Sequence, residues 1–137
     1  MINSVNEAVQ TVNANGNVLF VTDVIRTRSA TCCGWLQYSA GSGIFQLTRP
    51  GIYKIDFNAN ITSATVGALA LAFKENGEQM TGTEMDVTVA TANAYQNVSA
   101  SRLVRVCGNG STAITIGNIG TLATLIKNAN IIIEKIA

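Results

Sequence analysis

GSGIFQLTRPGIYKIDFNANITS, residues 41–63, decides the fold. It contains the chain's single proline, followed at once by glycine. Ile44, Phe45 and Leu47 read as a short strand. Arg49, Pro50 and Gly51 then read as a turn, because proline presets its own φ and offers no N–H, while glycine accepts φ > 0. Past the turn, Tyr53, Ile55, Phe57, Ala59 and Ile61 share one parity. Lys54, Asp56, Asn58, Asn60 and Thr62 share the other. Period two is the signature of a strand with one buried face and one wetter face. The stretch is a hairpin that ends in the longest amphipathic strand of the sequence.

Similar signals recur on both sides of it. Asn17 to Arg28 carries apolar residues on both parities, as expected of a strand covered on both faces. Cys33 to Tyr38 is a short strand anchored by Trp35. Ala64 to Gly67 is a loop, and Ala68 to Lys74 a strand closed by Asn76-Gly77, the strongest two-residue hairpin signal. Met85, Val87 and Val89 alternate. Tyr95 to Val106 is a strand, Gly108-Asn109-Gly110 a turn, and Ser111 to Ile119 a further strand. Leu122 to Leu125 either continues that strand or stands apart. Asn128 to Ala137 closes the chain with Ile131, Ile132, Ile133 and Ile136, too apolar to stay in water. It is expected to be a central strand with both faces covered. The total is about eight to ten antiparallel strands, with no helix expected. That is an all-β jelly-roll β-sandwich.

Residues 1–16 differ in character. Ile2, Val5, Val9 and Val12 fall at spacings of three, four and three, a heptad fragment too short to hold a helix alone. Valine, asparagine and threonine weaken the helix further. The stretch is expected to be an arm that docks onto a neighbouring subunit or a larger particle. The domain proper is expected to span residues 17–137.

Composition narrows the function. Charged residues make up 12% of the 137 positions, about half the usual share. This suits a surface hydrated by neutral groups, or one buried in an oligomer, since interface cores are depleted of charge. A net charge of +1 with scattered lysines and arginines gives no basic face for nucleic acid. No apolar run approaches the roughly 18 residues of a membrane helix. The first residues carry no secretory pattern, so folding in a cytoplasm is expected. Neither nucleic acid nor membrane is an expected partner.

Catalytic chemistry finds little support. The chain has no histidine, which removes the usual triads and most metal sets. Cys32, Cys33 and Cys107 are an odd count without a CxxC spacing, and adjacent cysteines do not pair without strain. They read as three small, buried, reduced thiols, or as a Cys107 bridge to one of the pair. Glu84 and Asp86 share a parity and read as two solvated carboxylates, with a catalytic pair or a calcium site as the sharper alternatives. No enzyme, metal or cofactor is expected.

IFQLTRPGIYKIDFNANI (44–61), LALAFKENGEQM (69–80), SRLVRVCGNGSTAITIGN (101–118) and NANIIIEKIA (128–137) appear in an order that resembles the tumour necrosis factor and complement globular-head superfamily of jelly rolls. The likeness is to its bacterial and phage members: the C-terminal domains of collagen-like spore-surface proteins and small trimeric phage virion proteins. No collagen-like run accompanies it, which favours a free-standing virion protein. The resemblance implies a homotrimer. One face of the closing strand would then meet a subunit neighbour, with Ile131 and Ile133 as interface candidates. Lys54 and Asp56 would pair across the three-fold axis or hydrate a channel along it, or else be two exposed charges on an ordinary face. Ile2, Val5, Val9 and Val12 would carry attachment to capsid or other virion proteins. The expected function is a non-enzymatic capsid decoration or head-fibre-type protein located on the virion. The alternative is a receptor-binding or glycan-binding trimer at a bacterial cell or spore surface, recognising through Ala64 to Gly67 and Ala90 to Ala94.

Overall fold

Gly51–Thr62 forms the strand expected from its alternation, and all five residues of its apolar parity are buried. The computed structural model describes residues 1–27, 34–38, 41–108 and 110–137, and among them there is no helix. The strands are β1 (Ile2–Asn6), β2 (Gln10–Val12), β3 (Thr22–Arg26), β4 (Leu36–Gln37), β5 (Phe45–Leu47), β6 (Gly51–Thr62), β7 (Gly67–Glu75), β8 (Glu78–Gln79), β9 (Met85–Val89), β10 (Gln96–Val106), β11 (Thr112–Asn118) and β12 (Thr124–Lys135).

Two antiparallel sheets enclose the core. The first has the order β10-β6-β12-β1-β3, with β2 also paired to β12. The second has the order β4-β5-β11-β7-β8, with β9 also paired to β7. The chain crosses between the sheets after β3, β5, β6, β9, β10 and β11, as in a jelly roll. Aromatic rings fill the space between them. Phe20 meets Phe45 and Phe57 edge-on at 5.6 and 6.2 Å, and Phe57 meets Phe73 at 6.4 Å. Edge-on pairs at such separations suit the ring quadrupoles.

The Pro50-Gly51 turn has a tertiary cause. The Tyr53 hydroxyl donates to the Arg49 carbonyl at 2.7 Å, and the Tyr53 ring lies 5.3 Å from Trp35. Gly51 sits at φ 151°, and a Cβ there would lie 2.5 Å from the Ala137 carbonyl oxygen. Only glycine fits both conditions. The Asn76-Gly77 hairpin also forms as read, with φ of 52° and 87°, both positive as the two-residue hairpin turn demands.

Several expectations change. Residues 1–16 do not form a free arm. Ile2 pairs with Ile133 of β12 on one side and Arg26 of β3 on the other, and β2 pairs with residues 124–126. Ile2 and Val12 belong to the core, Val5 is half-buried and Val9 is exposed. The sparse valines are therefore a strand pattern and not a heptad. β3 is shorter than the stretch 17–28 and is not covered on both faces: Val24 and Ile25 are 57% and 49% exposed at the sheet edge. Cys107 is exposed, not buried. Cys32 and Cys33 lie outside the described residues.

The closing strand is central, as expected, but its faces are set by a bulge. Lys127 pairs with Asn60 and Asn130 with Asn58, so two residues of β12 stand against the single Ala59. Asn128, at φ 53°, is in the left-handed region that asparagine tolerates. One inserted residue inverts side-chain parity from there on. Ile126, on an even position, is buried, and after the bulge the odd positions Ile131 and Ile133 are buried in its place. Both therefore lie in the chain's own core and do not supply an outward contact.

Candidate assembly face

The outward face of the first sheet is built from the parity that the core leaves over. Its layout follows from strand register, since directly paired residues point to the same side. One row across the sheet runs Ile25, Asn3, Ile132, Asp56 and Ser101. A second runs Glu134, Lys54 and Leu103. A third runs Thr22, Val5, Asn130, Asn58 and Ser99. A fourth runs Lys127, Asn60 and Asn97. The outward isoleucine of the closing strand is thus Ile132, which is half-buried.

Of the residues expected at an assembly contact, the structure brings Lys54, Asp56 and Val5 to this face. Lys54 Nζ lies 3.8 Å from Asp56 Oδ2, and both side chains are well exposed. Such a pair adds little to stability in water. Ile131, Ile133, Ile2 and Val12 are instead core residues, and Val9 lies between β1 and β2.

Sequence reading missed the amides as a group and Leu103 as an outward residue. Asn3 Nδ2 donates to Asn130 Oδ1 at 2.5 Å and to the Ile131 carbonyl at 3.0 Å. Asn97 Nδ2 donates to Asn60 Oδ1 at 3.1 Å and to the Ala59 carbonyl at 3.2 Å. Leu103 is 54% exposed on β10, at one edge of the sheet. At the opposite edge, Leu19, Val21, Val24 and Ile25 are exposed within one seven-residue stretch. Asparagine on strand positions was the available signal, because strands disfavour it.

A second polar group, also unforeseen, lies inside the first sheet's β3 edge. Ser4 is fully buried, and its Oγ lies 3.2 Å from the Tyr38 hydroxyl and 3.0 Å from Asp23 Oδ1. The Tyr38 hydroxyl donates to the Phe20 carbonyl at 2.7 Å. Arg26 Nη1 reaches Asp23 Oδ2 at 3.3 Å. Burial pushes the Tyr38 hydroxyl above its ordinary pKa near 10, against the lowering effect of the Ser4 hydrogen bond. Burial does the same to Tyr53, against the charge of Arg49. These bonds tie β1, β3 and β4 together and leave Ser4 no access to solvent, so the group is structural.

Glu84 and Asp86 are both exposed. Among the described residues no group of His, Cys, Asp and Glu is arranged to hold a metal. The 560 Å³ groove beside the β7–β8 hairpin is lined by Glu75, Glu78, Gln79, Met80, Thr81 and Arg102. Its arginine is engaged by the chain itself, donating to the Thr81 carbonyl at 2.8 Å.

No family model matches the sequence, and no curated protein matches it. Solved structures do match. The globular domain of zebrafish complement 1qA protein aligns over 96% of this chain and 94% of that one, with TM-score 0.65 and 12% identity. Eiger TNF from S. frugiperda aligns over 99% and 92%, with TM-score 0.72 and 7% identity. Murine APRIL at pH 5.0 aligns over 98% of each chain, with TM-score 0.64 and 15% identity. The likeness is one of fold. The chain has the jelly roll of tumour necrosis factor and complement globular-head proteins.

Proposed function

We propose that the protein is a non-enzymatic homotrimer with a structural role, assembled through the outward face of its first sheet. One observation carries the reading. That sheet has an aliphatic patch at its β3 edge and an exposed leucine on the β10 strand at its far edge, with amides, hydroxyls and the charges Lys54, Asp56, Glu134 and Lys127 between. Different patches at two ends of one face suit a head-to-tail contact, which closes into a ring when the rotation permits. Three is the number that the family resemblance implies. The low share of charged residues agrees.

Within that reading, the resemblance to phage members favours a virion protein of the decoration or head-fibre type. Attachment would then use folded surface, because residues 2–6 and 10–12 belong to the sheet. Light scattering on a sizing column, from micromolar to nanomolar protein, tests the assembly. A mass of three chains that survives dilution is expected, and a stable 14.4 kDa species would sink the reading. Binding of labelled protein to purified particles tests the virion role.

A second reading, a recognition trimer at a cell or spore surface, has its own observation. The loops at 63–66 and 90–95 lie at one end of the sandwich, joined by the Asn93 N–H donating to the Ser63 carbonyl at 2.9 Å. Neither loop contains a charged residue. Binding on a glycan array, abolished by substitutions in these loops, would favour this reading over the structural one.

A further inference from the structure

Asparagine is disfavoured in strands, because its side chain competes for backbone groups and packs poorly on a pleated surface. The outward face of the first sheet nonetheless carries five: Asn3, Asn58, Asn60, Asn97 and Asn130. They are contiguous. Asn130 stands opposite Asn58, and Asn60 opposite Asn97. The intrachain bonds from Asn3 and Asn97 fix the amides on either side. Asn58, between them, is exposed and has no side-chain hydrogen bond among the described residues.

Which occupant suits such a surface follows from the chemistry of the amide. Each carries two donors and an acceptor oxygen with two lone pairs. A row of amides therefore matches a copy of itself, whereas a row of lysines or glutamates repels its copy. β12 is the middle strand of the sheet and β6 is its neighbour, so their outward residues meet their own copies if three sheets converge on an axis. We propose that Asn58 and Asn130, flanked by Asn3 and the Asn60–Asn97 pair, form a hydrogen-bonded seam between copies of this chain, and that the seam sets the register of their contact. Aliphatic residues at the two edges supply buried area. The amides supply direction, as a single buried asparagine does in a coiled coil. This inference rests on the assembly reading.

The test uses the full chain. Asn58→Asp would bring carboxylates together at the seam, where like charges and lost donors both oppose association. Its dissociation constant at pH 7.5, from light scattering or sedimentation, should rise at least 100-fold while the circular dichroism spectrum stays native. Thr88→Asp, on the exposed face of β9 in the other sheet, adds the same charge and should leave the mass unchanged. Asn58→Lys should dissociate as Asn58→Asp does, and an equimolar mixture of the two variants should recover assembly. A misfolded variant would not be rescued in this way. A wild-type monomer would overturn the assembly reading and the seam with it. A wild-type trimer undisturbed by Asn58→Asp, or folded variants that fail to rescue each other, would overturn the seam and leave the assembly standing.

Discussion

The two sheets turn their outward faces to solvent with different materials. On the second sheet the outward positions of β7 are Ala68, Ala70, Ala72 and Lys74. Ala72 is fully buried, and Lys74 lies across β11 so closely that a Cβ on Gly117 would come within 2.8 Å of its Cε. That face is covered by the chain's own short and folded-over side chains. On the first sheet, Ile25 and Leu103 stand half in water, and the ground between them mixes amides and hydroxyls with Ile132 and the charges Lys54, Asp56 and Glu134. A lysine stem laid over small residues finishes a surface. Exposed aliphatics beside amides capable of further hydrogen bonds leave one unfinished. Two faces of one sandwich, drawn from the same composition, thus differ in what they offer a partner, and only the first has the features on which the proposed assembly rests.

The harshest way to break the comparison is to exchange inward and outward on the first sheet. Inserting one residue between Asn130 and Ile131 turns Ile132 inward and Ile131 and Ile133 outward. The loss should exceed about 4 kcal/mol, the exceptional range for a single change, and should appear as a chain that does not fold, by circular dichroism. Next come two neighbours on β6. Phe57→Ala empties the aromatic core and should cost about 3–5 kcal/mol in chemical denaturation. Asn58→Ala, one residue on, should cost at most about 0.5 kcal/mol of chain stability. Similar losses at the two positions would mean that the outward face is part of the fold.

Alkaline titration probes the β3 edge and the turn before β6. Tyr38 and Tyr53 have folded pKa values raised above 10, so above pH 10 the unfolded chain releases protons that the folded chain keeps. Stability should be intact below pH 10 and fall as pH rises past it. Thermal melts between pH 8 and 11 should show that fall, and Tyr38→Phe should flatten it. The smallest effect is expected on the second sheet. Gly117→Ala displaces only the flexible end of Lys74 and should change stability by no more than about 0.5 kcal/mol. A larger loss would show that Lys74 has no other place to lie.

Much of this fold was legible in period-two runs and turn residues. Gly51-Tyr53-Phe57 and Asn76-Gly77 declare themselves locally, because φ and parity are properties of a few adjacent residues. What stayed hidden depends on distant pairing. Nothing within residues 1–16 reveals that Ile2 will lie between Ile133 and Arg26. The faces of β12 were misread because residues 128–137 were taken alone, and only the pairing with β6 tells which isoleucines meet the core. Asn128, set beside Lys127 between the apolar pair Leu125-Ile126 and the run Ile131–Ile133, was the sign available. The candidate face was legible only in Lys54, Asp56 and Val5. Its amides looked like ordinary polar filler until register gathered them into rows.

The placement of β12 also has a cost in time. It is the middle strand of its sheet and the last of the twelve to be synthesised, while β1, which pairs with it, is the first. Until β12 emerges, β1 and β6 each hold an edge with no strand to receive it. Such long-range closure makes folding slow and exposes strand edges while it waits. During synthesis the protein is therefore most vulnerable to pairing with the wrong chain, at the same strands that later form its most protected core.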